Sequence, residues 1–72
     1  MAQVKVYYDE TGHTLTVWFG DPSSEYVCEE TRDEVILMKD KSGTVIGFEK
    51  LNFKVSDPRH LQVAFESYNG VA

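Results

Sequence analysis

Cysteine is all but missing from this chain. Cys28 is the only one, so no intrachain disulfide can form and a cystine-stapled secreted module is excluded. Long apolar runs are missing too. The longest aliphatic stretch, Val35-Ile36-Leu37-Met38, falls far short of the ~20 residues that a membrane-spanning helix needs, so no membrane partner is expected. Positive charge is scarce: seven Lys and Arg stand against twelve Asp and Glu, a formal net charge of −5. A duplex binder needs a basic face to displace phosphate counterions, and the only basic clustering is Lys39 with Lys41 and, further on, Lys50 with Lys54. Nucleic acid is therefore not an expected partner. The opening MAQVKVYYDE carries no apolar stretch resembling a signal peptide, and the expectation is a soluble, cytoplasmic protein. No low-complexity tract or linker divides the chain, which reads as one domain over 1–72.

A domain of 72 residues buries only about 60% of the surface its unfolded chain exposes, so its core usually has a supplement. With disulfides excluded, the remaining supplements are a metal, a second subunit or an unusually well-packed sheet.

What is present is a β rhythm. Short runs rich in Val, Ile, Thr, Tyr, Phe and Trp recur at intervals of roughly ten residues, broken by turn chemistry. They cover 4–8, 15–19, 25–31, 34–39 and 44–53, with Gly20-Asp21-Pro22-Ser23-Ser24 a loop between the second and third. Gly47, inside the fifth run, marks a bulge or a close backbone approach. The fold class this implies is mainly β: a small antiparallel sheet built from β-hairpins as a meander, with about six short strands. The sixth would be the C-terminal stretch SDPRHLQVAFESY, where Leu61, Val63 and Phe65 alternate with Gln62, Ala64 and Glu66. The same residues also fit a helix at about 58–68, capped by Asp57, begun by Pro58, with Leu61, Ala64, Phe65 and Tyr68 on one face. That alternative would make the fold α+β. The strand is favoured because the last sheet edge needs a partner.

Two stretches share an Asp-x-Ser/Thr-Gly pattern, Asp9-Glu10-Thr11-Gly12 and Asp40-Lys41-Ser42-Gly43. Each supplies about two side-chain oxygens and no terminal bidentate Glu, which is too few for a calcium loop. The pattern instead reads as a four-residue hairpin loop, with Asp capping the turn and Gly supplying positive φ. That placement sets Tyr8 opposite His13, Val6 opposite Leu15 and Val4 opposite Val17. In the second hairpin it sets Leu37 opposite Ile46 and Val35 opposite Phe48. The expected inward set is Val4, Val6, Leu15, Val17, Val35, Leu37, Ile46 and Phe48. A slip of one residue would mix the two faces.

The same residues resemble a known family. Tyr8-Asp9 before the first turn, the Leu15-x-Val17-x-Phe19 second strand, and the hairpin carrying Asp40, Gly43, Val45, Gly47, Phe48 and Glu49 are similar to the small prokaryotic family known as domain of unknown function 2283. The likeness covers about residues 4–53. It departs at His13, where members often carry an acidic residue. The resemblance implies a small β-rich protein with no established enzymatic activity, cofactor or catalytic residue to carry over. It also implies an association of some members with toxin–antitoxin-like gene pairs.

Candidate chemistry is sparse. Cys28 with His13 or His60 has the residue types of a nucleophile and base, but no glycine loop for an oxyanion accompanies Cys28. The scattered spacing of these three matches no zinc pattern, and no catalytic, cofactor or metal residues are assigned. Glu29, Glu30, Asp33 and Glu34 form the densest acidic cluster. On a strand and turn of so small a domain they read as a solvated rim. More informative is the second sheet face, which takes Tyr7, Thr14, Thr16 and Trp18, joined by Ile36, Met38 and Val45. It is too apolar to be simply wet. Either the C-terminal segment folds over it, or Tyr7, Trp18, Ile36 and Met38 bind a partner, since Trp, Tyr and Met are typical interface residues. The expected function is a non-enzymatic protein-interaction module, antitoxin-like toward a basic toxin-like protein, with a homodimer or a protein partner. The alternative is a small ligand-binding or enzymatic dimer with a site at its interface, built around Cys28, His13 and Glu29/Glu30.

Overall fold

The computed structural model describes residues 3–69. Five strands form one antiparallel sheet: β1 (Lys5–Asp9), β2 (Thr14–Trp18), β3 (Val27–Glu30), β4 (Val35–Lys39) and β5 (Val45–Lys50). The mainly β reading of the sequence is correct. Short 3-10 turns occupy Pro22–Ser24 and Pro58–His60, each opened by an aspartate whose carboxylate accepts from a backbone N–H two residues on. Among the described residues no helix is long and apolar enough to cross a membrane.

The strand order is β1-β2-β5-β4-β3, a Greek-key order and not the simple meander expected. After β2 the chain does not turn back beside itself. It runs along the end of the sheet, where Phe19 and Gly20 N–H both donate to Ile46 O and Tyr26 N–H donates to Lys39 O. Gly20 is needed on this path, because a Cβ there would lie 2.7 Å from Ile46 Cβ.

Both hairpins differ from the expected register by two residues: in the first the cause is the aspartate, and in the second the turn supplies one residue and a bulge the other. Asp9 does not sit in the loop; it pairs with Thr14 as the last rung of the ladder, so that Tyr8 faces Leu15 and Val6 faces Val17. Its carboxylate accepts from Thr11 N and Gly12 N, closing a four-residue loop over residues 10–13. The left-handed residue is His13 (φ 55), not Gly12. In the second hairpin, Leu37 faces Phe48 and Val35 faces Lys50. Here Asp40 and Thr44 close a three-residue loop through Asp40 N–H to Thr44 O, and Gly43 takes φ 89. The left-handed third residue is the one that a three-residue hairpin loop calls for. Opposite Met38 and Lys39 the ladder slips by one, so Ile46 is the extra residue of a β-bulge. Gly47 is therefore both beside a bulge and a close-approach position.

The left-handed φ at Gly43 yields a direct expectation. A Cβ there meets nothing within 4 Å, so any penalty for Gly43→Val comes from backbone strain alone. We expect a loss of about 1–2 kcal/mol, the cost of left-handed backbone for a residue with a Cβ. Urea unfolding measures it, and an unchanged midpoint would disprove the strain.

Asp40 also carries the turn electrostatically. Its Oδ1 accepts from Ser42 Oγ, Ser42 N and Thr44 N, which holds its carboxyl below the ordinary 3.8. Asp21 is lowered in the same way by Ser23. A depressed carboxyl stabilises the fold above its unfolded value and loses that contribution as pH falls through the folded one. Melting temperature should therefore drop on acidification below about pH 4, and Asp40→Asn should flatten that part of the profile.

The buried core is small. Among the described residues, Met38, 4% exposed, and Ile46, 7% exposed, are the buried apolar side chains, and no large side chain is fully buried. Of the expected inward set, Leu15, Val17, Val35, Leu37 and Phe48 are half-buried, while Val6 and Val4 are exposed. Val4 precedes β1 and has no strand opposite it.

The C-terminal run becomes neither the sixth strand nor the helix. Past β5, Leu51 N–H donates to Glu34 O and Phe53 N–H to His13 O. Phe53 then stacks edge-on against Tyr8, and the Tyr8 hydroxyl accepts from Val55 N. Residues 51–55 thus cross the sheet face that carries Tyr8. Beyond the 3-10 turn the chain is extended and exposed, with Val63 at 68%, Phe65 at 87% and Tyr68 at 86%.

Candidate partner-binding surface

A register slip of two leaves every side chain on its original face, so the composition of the second face follows the sequence pattern. Two cross-sheet rows define it. One runs Tyr7, Thr16, Glu49, Ile36, Glu30, and the next runs Lys5, Trp18, Gly47, Met38, Cys28. Tyr7, Trp18, Ile36 and Met38 therefore do share a face. Val45 pairs with Lys39 beyond the bulge, where the alternation is reset.

Within that face the four residues are not equally available. Gly47 lacks the Cβ that would lie 2.8 Å from Trp18 Cε3, so the indole rests over Gly47, the residue separating Trp18 from Met38. Met38 is buried within the single chain and is not a surface contact. Tyr7 is exposed, and Trp18 and Ile36 are half-buried. Phe53 and Val55 pack at Tyr8, on the opposite face.

Acidic groups border these apolar ones. Glu49 stands in the same row, reached by the Thr16 hydroxyl at 3.5 Å, and Glu30 ends that row at the β3 edge. All of Glu29, Glu30, Asp33 and Glu34 are exposed. Glu29 pairs with Lys39 at 3.1 Å and Glu34 with Lys50 at 3.6 Å. Exposed pairs of this kind stabilise by about 0–1 kcal/mol, so the cluster is a rim and not a structural clamp.

The groups of the enzymatic alternative are not brought together in one chain. Cys28 lies on edge strand β3 and His13 in the β1–β2 turn, a sideways separation of three strand spacings across β4 and β5, roughly 14 Å, with a further offset along the strands. His13 Nδ1 is buried without a partner, and His60 is exposed beside Asp57 at 3.1 Å. Among the described residues no group of three His, Cys, Asp or Glu is placed to hold a metal. The Cys28 thiol donates to Glu25. That hydrogen bond, with burial and the charges of Glu25 and Glu49, raises its pKa above the ordinary 9.0. A raised thiol is mostly protonated at neutral pH, and the thiolate is the reactive form. Cys28 should alkylate with iodoacetamide more slowly than a free cysteine despite its exposure, and Glu25→Gln should speed it. Equal rates in both proteins would refute the role of Glu25.

Openings exist at both ends of the sheet. One, of about 520 Å³, lies between the crossing loop and the second turn, lined by Ser23, Ser24, Tyr26, Asp40 and Ser42 among others. The other, of about 210 Å³, lies at the far end of β4 beside Leu51. Neither contains Cys28 or a histidine.

The described residues form a small β-sheet protein: one five-stranded open antiparallel sheet with half-covered faces and an acidic rim. Residues 5–54 match the model of the protein-of-unknown-function family DUF2283, and the chain belongs to that family. It matches no curated protein and no solved structure.

Proposed function

We propose that this chain is a non-enzymatic protein-interaction module that recognises a basic protein, in the manner of the neutralising partner of a toxin-like protein. The observation that supports the reading most is the second sheet face. It offers Tyr7, Trp18 and Ile36 for apolar contact and sets Glu30 and Glu49 beside them. Aromatic anchors supply contact energy, while like-signed charge around them steers and selects an oppositely charged partner. The net charge of −5 adds to the same steering.

Affinity purification of the tagged chain from its native cell tests the proposal. A stoichiometric basic protein should co-purify, be released by salt, and be lost with Tyr7→Ala or Glu30→Lys. Recovery of the chain without a stoichiometric partner under several growth conditions would end it. So would a partner whose binding ignores both substitutions.

A further inference from the structure

The extended run after Leu61 has a strand's pattern and no strand's partner. Leu61, Val63 and Phe65 alternate with Gln62, Ala64 and Glu66, yet residues 62–69 form no ladder and lie exposed. The run lies outside the residues matched by the family model. We propose that residues 62–66 pair antiparallel with the β1 edge of a second copy of this chain, giving a dimer in which each copy adds a sixth strand to the other's sheet.

Among the described residues the sheet has two free edges, β1 and β3, and charge chooses between them. The β3 edge carries Glu29 and Glu30, with Glu25 just before it, and Glu66 of an incoming strand would meet like charge. Such acidic residues are a standard protection of an edge. β1 has neither proline nor bulge, its Tyr7 is exposed, and Val4 just before it is 61% exposed. Its only cation is Lys5.

One register satisfies both faces of β1. Setting Glu66 opposite Lys5 places Phe65 opposite Val6, Ala64 opposite Tyr7, Val63 opposite Tyr8 and Gln62 opposite Asp9. Val63 and Phe65 then join the face of Val6 and Tyr8, and the one acidic residue of the run meets the one cation of the edge. Shifting by two residues toward Val4 keeps the faces but sets Lys5 against Ala64 and loses the charge pair. Shifting by one puts Phe65 on the wrong face.

Surface area supports a second copy. The chain exposes 6016 Å², whereas a folded monomer of 8.2 kDa exposes about 4,500 Å². The excess, roughly 1,500 Å², exceeds the ~800 Å² that each partner contributes to a standard interface. The radius of gyration, 13.9 Å, likewise exceeds the ~11 Å of a compact monomer of this length.

A cross-strand disulfide in the full chain reads this register directly. In a Cys28→Ser background, Tyr7→Cys and Ala64→Cys should oxidise to a covalent dimer, because opposed residues in antiparallel strands stand within disulfide reach. Adding Val63→Pro, which blocks ladder pairing, should abolish it. The unsubstituted chain should sediment as a dimer at micromolar concentration, and Phe65→Glu as a folded monomer. An internal disulfide in a monomer would overturn the proposal, since the run would then close on its own edge. Thiols that stay free, a monomeric unsubstituted chain, or a dimer that survives Phe65→Glu would overturn it too. Capture of a basic protein by the second face is assayed separately, in the unsubstituted chain, which keeps Tyr7.

Discussion

Gly47→Val should remove much of the protein's stability. Gly47 is buried at the centre of the sheet, and a Cβ there would stand 2.7 Å from Val17 O and 2.8 Å from Trp18 Cε3. The carbonyl is ladder backbone and cannot swing aside as a flexible side chain would. The indole can move only by leaving the surface it covers. Overpacking costs about 1–3 kcal/mol where side chains give way and more where backbone must, so we expect a loss of about 3 kcal/mol or more. A domain of 72 residues has about 4–11 kcal/mol in total, and a core this thin places it toward the low end. Gly47→Ala should lose less than Gly47→Val but still lower the melting temperature by about 10 °C. Trp18 emission reports the local effect and far-UV circular dichroism the global one. A Gly47→Val protein melting within a few degrees of the parent would show that the indole does not rest where described.

The second large effect is expected at Met38. Truncating a buried Met to Ala costs about 2–5 kcal/mol, and Met38 is among the few side chains buried in the single chain. Leu37→Ala, on the half-buried face, should cost only about 1–2 kcal/mol, because much of its surface is already in water. Urea unfolding of the two variants gives the order. Leu37→Ala proving the more damaging would place the core on the other face of the sheet.

That order reverses what hydrophobic patterning suggests. Alternation assigns residues to faces, and it did so correctly along β1, β2 and β4, with Leu37 on one face and Met38 on the other. It does not reveal which face is better covered. Coverage depends on Trp18 crossing Gly47 and on the bulge at Ile46, neither of which has a periodic signature. The registers illustrate a related limit. Pairing Val6 with Leu15 or with Val17 leaves the same residues on the same face, so an apolar pattern cannot distinguish slips of two. What decided them was local: Asp9 and Asp40 accept backbone N–H groups at their turns, and in the second hairpin the bulge at Ile46 adds the second residue of the slip. The Greek-key order was equally hidden, since β3 and β5 present similar alternation to β2. At the candidate surface, Tyr7, Trp18 and Ile36 were legible as one face. The acidic contribution of Glu49 was not, because it depends on the β2–β5 pairing that sets it beside Thr16. The stretch at 58–68 satisfied two periodicities, and neither element forms where a single chain provides no surface to bury it.

The β2–β5 adjacency has a kinetic consequence. β1 with β2, and β3 with β4 and β5, are neighbours joined by short turns, and such hairpins close on a microsecond scale. Joining the two groups means bringing Thr14–Trp18 against Val45–Lys50 across everything between them. That closure spends chain entropy before any contact repays it. Refolding is therefore governed by one seam through the middle of the sheet, and Trp18 sits on it, so stopped-flow emission from this residue times the step at which two hairpin units become one protein.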